Sequence, residues 1–110
     1  MKALSILYIA SGLLLSCLAV PLILGRVPPN HIYGFRVRAT LRDRKLWYAV
    51  NRYAAWRLLV VGLADAATAV VVAQVPGIGI DTYALLCLTV VATGLVVVLI
   101  QSFLYLKMLS

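Results

Sequence analysis

The chain has 110 residues, of which 65% are hydrophobic and only 12% charged, and it carries a net charge of +7 at pH 7. An ordinary soluble domain is about half apolar and about a quarter charged, so this composition excludes one and fits a single small helical membrane unit. The positive charge would suit nucleic acid, but eight of the ten Lys and Arg lie in one connection beside membrane-length segments. Positive-inside orientation and anionic headgroups account for cations there, and no nucleic-acid-binding motif is present, so no nucleic-acid partner is expected.

The first apolar segment covers about residues 3–24. A bilayer core of about 30 Å needs about 20 helical residues, so this segment is long enough to cross. Ser5, Gly12, Ser16 and Ala19 form a line of small residues along it, which lets a second helix approach closely. Pro21 stands near its end, and Gly25-Arg26 closes it. Leu14-Leu15-Ser16-Cys17 resembles a lipoprotein cleavage box. The apolar run continues past Cys17 to Leu24, and Leu15 is unfavourable at its place in such a box, so the segment reads as a retained helix.

The connection, residues 25–57, holds Arg26, Arg36, Arg38, Arg42, Arg44, Lys45, Arg52 and Arg57 against a single acid, Asp43. Val27-Pro28-Pro29-Asn30 is not helical in its first half, because each proline pushes the residue before it into extended backbone. Residues 31–38 alternate aromatics with cations, as Tyr33, Phe35, Arg36 and Arg38, and read as an ordered loop at headgroup depth with His31 at the interface. Thr40 is expected to cap the next helix, with Asp43 reaching back to it. From there Leu46, Trp47, Val50, Tyr53 and Ala54 share a face, which predicts an interfacial amphipathic helix over 40–57. No Gly or Pro intervenes before Gly62, so this helix is able to run on into the next segment.

The second segment, about residues 58–75, carries another small line at Gly62, Ala66, Ala69 and Ala73. Asp65 sits near its middle, where a charge costs about 2.5–3.5 kcal/mol on insertion scales. It must face the protein interior, carry its proton or find a partner; the neutral candidates are Ser16, Thr89, Thr93 and Gln101. A proton relay or ligand site is one reading of Asp65, and a structural hydrogen bond between helices is the other. Pro76-Gly77-Ile78-Gly79 breaks the helix, and the short turn to Thr82 holds Asp81 but no Lys or Arg. The third segment, about residues 83–105, has Gly94 inside it and ends in Tyr105-Leu106-Lys107.

Together these elements predict one all-α membrane domain over 1–110: three transmembrane helices with a cytoplasmic interfacial helix between the first and second. The positive-inside rule places the 25–57 connection and the C-terminus in the cytoplasm and the N-terminus outside. Three helices bury little surface among themselves, so a protein partner or homo-oligomer is expected. Cys17 and Cys87 both lie in apolar segments without metal-ligand or redox spacing, so neither a disulfide nor a metal is expected. With three acids, one histidine and no nucleophile–base spacing, no catalytic residue and no cofactor are expected.

The sharpest constellation is Arg36 with Trp47 and Asn51, flanked by Arg38 and Arg52. Trp47 and Asn51 are one helical turn apart, and Gly34 lets the loop backbone approach their face. One reading is a small polar pocket for an anionic headgroup or a peptide carboxylate. The other is that these residues tie the loop to the helix and bind nothing. Arg42, Arg44, Lys45 and Arg52 would in addition attract anionic lipid at about 1 kcal/mol each.

Val27-Pro28-Pro29-Asn30, then Tyr33-Gly34-Phe35-Arg36, then Thr40, then Leu46-Trp47 and Asn51-Arg52, resembles the SdpI family of bacterial membrane proteins. That family's cytoplasmic motif runs P-x-N, G-x-R, T and W-x-x-x-N, and here it spans Pro28 to Arg52. The family includes a larger immunity protein that protects a toxin producer from its own secreted peptide and recruits a transcriptional repressor. The resemblance therefore implies a bacterial inner-membrane protein that recognises a peptide or protein partner in immunity or signalling. An accessory subunit of a larger membrane complex, with anionic lipid at its basic interface, is the competing expectation. The chain departs from the pattern at Val37, where the family usually has threonine. It departs again at Ala54-Ala55-Trp56, where Trp56 would close a gap that a nearby glycine leaves open.

Overall fold

The computed structural model describes residues 2–30 and 34–109; His31 and Tyr33, expected at the interface, lie outside them. Four helices follow in order: α1 (Lys2–Ile23), α2 (Arg38–Arg42), α3 (Arg44–Ala73) and α4 (Ile80–Leu109). Three of them, α1, α3 and α4, are long and apolar enough to cross a membrane. The chain is a multi-pass membrane protein, and its surface says so directly. Small residues line the contact between α1 and α3, while Ile6, Leu7, Leu14, Val60, Leu85 and many other large aliphatics stand on the outside. That distribution suits a solvent of lipid tails.

Helix α1 runs through Pro21 and stops in a Schellman turn. Gly25 adopts φ +70°, the Arg26 N–H donates to Pro21 O at 3.0 Å, and the Gly25 N–H donates to Leu22 O at 3.3 Å. The expected start of the next helix is corrected by three residues. Asp43, in extended backbone, is the N-cap of α3, and its Oδ1 accepts from the Lys45 and Leu46 N–H groups at 3.0 and 3.3 Å. Thr40 instead lies inside the short α2, where its hydroxyl is engaged by the loop. A short carboxylate is among the best N-caps, and the extended backbone at Asp43 separates α2 from α3.

The segment expected as an interfacial helix able to run on into the second span is the first half of α3, which continues unbroken for 30 residues. Its buried face is Trp47, Val50, Asn51 and Ala55, turned slightly from the Leu46–Tyr53 face that apolarity alone suggests. After Ala73 a turn with Gly77 at φ +75° leads to α4, which begins at Ile80 and takes Asp81 into its first turn.

Helix α3 is the centre of the molecule, with α1 along one flank and α4 along the other. Gly12, Ser16 and Ala19 of α1 are buried, as are Gly62, Ala66 and Ala69 of α3. A methyl group on Gly12 would strike the Gly62 carbonyl, and one on Gly62 would strike the Gly12 carbonyl and Ser16. The two backbones touch there, as the small-residue lines require. At one end α1 also meets α4. The Tyr8 and Tyr83 rings meet edge to face at 6.3 Å, Tyr8 Oη donates to Ala84 O at 3.3 Å, and Tyr83 Oη donates to Ala69 O at 2.8 Å. Cys87 is buried in this cluster, whereas Cys17 faces outward.

Candidate functional site

The connection is pinned to α3 at both of its ends. Trp47, fully buried, donates its Nε1–H to Val27 O at 2.8 Å and holds the first strand of the loop. Asn51, 2% exposed, holds the second strand. Its Oδ1 accepts the Phe35 N–H at 2.5 Å, and its Nδ2 donates to Trp47 O at 2.9 Å and to Phe35 O at 3.4 Å. Gly34, at φ +112°, makes this approach possible, because a Cβ there would lie 2.8 Å from Asn51 Oδ1 and 3.1 Å from the Trp47 ring. Thr40 completes the clamp. Its buried hydroxyl oxygen accepts from Val37 N–H at 3.0 Å and lies 2.9 Å from the carbonyls of Phe35 and Val37. Phe35 itself packs edge to face on Phe103 of α4 at 5.0 Å, which ties the loop to the third long helix as well.

The arrangement separates the predicted site residues into two groups. Trp47 and Asn51 are interior, and Asn51 grips the Phe35 backbone next to Arg36. Arg36 and Arg38 present their side chains at the surface, together with Arg26, Arg42, Arg44, Lys45 and Arg52. Arg52 also has a tying role: its Nε donates to Ile23 O at 2.9 Å, at the carbonyl end of α1 where a cation is favoured. The result is an ordered cationic surface at one end of the helices. Beneath the clamp lies an apolar cavity of about 270 Å³, bounded by Leu18, Leu22, Phe35, Asn51, Leu58 and Val98.

Asp65 is fully buried between the helices, and its partner corrects the sequence expectation. Ser11 Oγ lies 3.0 Å from Asp65 Oδ2; Ser16 bonds Gly12 O, Thr89 bonds Leu85 O, and Gln101 bonds Arg57. Among the described residues Asp65 Oδ1 has no hydrogen-bond partner. The contact joins α1 to α3 one turn from the Gly12–Gly62 seam.

Two features escaped sequence reasoning. Thr40 serves the loop in place of a helix start. Tyr53 and Arg57 of α3 meet Gln101 and Tyr105 of α4: the Tyr53 and Tyr105 rings stack at 4.1 Å, and the Arg57 guanidinium lies 3.5 Å over Tyr53. The one-turn spacing of Tyr53 to Arg57 and of Gln101 to Tyr105 was the available signal. Trp56, expected to close a gap, points away from the interior and is 52% exposed. Chemically, the clamp directs its donors to backbone carbonyls, and the positive charge open to an anion is that of the exposed arginines it orders. Among the described residues no cluster of His, Cys, Asp or Glu could hold a metal ion.

The family model of the SdpI/YfhL protein family matches residues 26–105. The match takes in the pinned connection, α2, all of α3 and most of α4. No curated protein and no solved structure matches the chain.

Proposed function

The chain belongs to the SdpI/YfhL protein family, and on that footing we propose that it is a non-enzymatic bacterial inner-membrane protein that recognises a peptide or protein partner, in immunity or signalling, through its basic connection. What supports this most is the clamp: Trp47, Asn51 and Thr40 fix the loop backbone, so that Arg36 and Arg38 stand exposed on an ordered scaffold. Ordering these cations beforehand lowers the entropy lost on binding an acidic partner. The partner is a second protein, a peptide or another copy of the chain.

The test is photo-crosslinking from position 39, beside the two arginines, of the full-length protein in native membranes. A discrete protein adduct is expected, lost in Arg36→Ala and largely lost in Arg36→Lys, because lysine keeps the charge but not the bidentate fork. Both variants should accumulate in the membrane like the parent, since the side chain is exposed. Adducts to lipid alone would favour the second reading, an accessory subunit with anionic lipid at the basic end. That reading draws on the length of α3. Thirty residues span about 45 Å against a core of about 30 Å, so the basic end of α3 extends into the headgroup layer.

Orientation follows from the same charges, with the connection in the cytoplasm and the N-terminus outside. A periplasm-active reporter fused after Gly79 should therefore be active, and one fused after Arg44 silent. Activity only at Arg44 would invert this topology.

A further inference from the structure

Of the connection's eight cations, Arg57 alone is partly buried. It lies on α3 five positions from Gly62, whose partner Gly12 is near the middle of α1. At 1.5 Å per residue its Cα stands about 7 Å from that level. Side chains on a helix lean toward its N-terminus, so the guanidinium reaches toward the basic end and the edge of the hydrocarbon.

The chain holds this group flat, and among the described residues no carboxylate meets its charge. Arg57 Nε donates to Gln101 Oε1 at 3.1 Å and one terminal nitrogen donates to Tyr53 O at 3.3 Å, while the Tyr53 ring supports one face. Both hydrogen-bond partners are neutral, and three of the five N–H donors are left over among the described residues. An intramembrane cation without a carboxylate is costly unless something outside the chain meets it.

A groove of about 490 Å³ runs between α3 and α4 from Arg57, walled by Trp56, Val60, Gly94, Val97 and Gln101. Gly94 brings α4 close to α3 along this groove, since a Cβ there would come within 2.8 Å of the Val61 side chain. The walls are exposed on the outer side: Val60 is 63% and Val97 44% accessible, so the groove opens to lipid.

We propose that this groove binds one anionic phospholipid, with an acyl chain along Val60, Gly94 and Val97 and its phosphate on Arg57. Charge complementarity selects the occupant. An apolar channel ending in a preorganised guanidinium whose described partners are neutral fits a long aliphatic tail joined to a phosphate of net negative charge. Trp56 lies beside the guanidinium, where an indole favours the membrane–water boundary. This site is separate from the exposed arginines of the connection.

The test is native mass spectrometry of the full-length protein, titrated with phosphatidylglycerol and, separately, with phosphatidylcholine. One phosphatidylglycerol should be retained about fivefold or more tightly than phosphatidylcholine, the size expected of one cation near the headgroups. Arg57→Gln should abolish that preference. The double change Arg42→Gln, Arg44→Gln should reduce the total lipid taken up but keep the single tight molecule. Val97→Phe, a change at an exposed position that leaves the interior intact, should weaken retention without altering the melting temperature. An unchanged phosphatidylglycerol preference in Arg57→Gln, or unchanged retention in Val97→Phe, overturns the proposal.

Discussion

Gly62→Val should separate α1 from α3 and lower the melting temperature in detergent by on the order of 10 °C or more. The valine would drive its side chain into the Gly12 carbonyl and Ser16, and a backbone cannot swing aside as a side chain can. Overpacking typically costs about 1–3 kcal/mol, and a clash of backbone against side chain on a seam this close belongs at the top of that range or above it. The Ser11–Asp65 contact, one turn along the same seam, should be lost with it. Two further glycines calibrate the result. Gly94→Ala meets only the Val61 side chain, which can shift, so a smaller loss is expected; Gly79→Ala meets nothing within 4 Å and should leave melting unchanged. A Gly62→Val protein that melts with the parent would refute the seam.

Asn51→Ala should free the connection. The Phe35 N–H loses its acceptor, and a buried polar group left without a partner costs about 1–3 kcal/mol; the Trp47 carbonyl loses the Nδ2 donor but keeps the backbone N–H one turn on within α3. The Phe35 carbonyl keeps Thr40, so the loop should loosen without the helices coming apart. Arg36 and Arg38 make the opening measurable, because trypsin cuts after arginine only when the backbone can leave its clamp. Cleavage at these two positions should accelerate about tenfold or more in Asn51→Ala, which is the population change that 1.4 kcal/mol produces. Gly34→Ala should act in the same direction, since its Cβ would press on Asn51 Oδ1 and its φ of +112° suits only glycine. Cleavage at the parent rate in Asn51→Ala would show that the side chain does not hold the loop.

The parts of this protein that depend on one helix at a time were legible in its sequence. Long apolar runs give the three spans, and small residues repeating at helical spacing give Gly12, Ser16, Gly62, Ala66 and Ala69 as packing positions. Trp47 and Asn51 as neighbours on one face followed from their spacing. What depends on how two elements are set against each other was not legible. Asp65 was given Ser16, Thr89, Thr93 or Gln101 as candidate partners, but the Gly12–Gly62 crossing fixes the rotation of α1 and presents Ser11. Periodicity within one helix carries no information on that angle. The grip of Asn51 on the Phe35 backbone was hidden for another reason: every residue but proline offers the same N–H and C=O, so a main-chain partner leaves no mark on residue identity. Thr40 and Asp43 are both good caps, and only the path of the loop decides which of them starts α3.

Because α3 is continuous, Asn51 and Gly62 ride on one stiff shaft, about 16 Å apart along its axis. A torque applied where the loop is gripped is delivered at the Gly12–Gly62 crossing, and that crossing has no slack to absorb it. Turning α3 at its basic end therefore forces α1 to roll or slide, and carries Asp65 with it. Events at the gripped loop and events at the Gly12–Gly62 crossing are thus geared to each other by a single element.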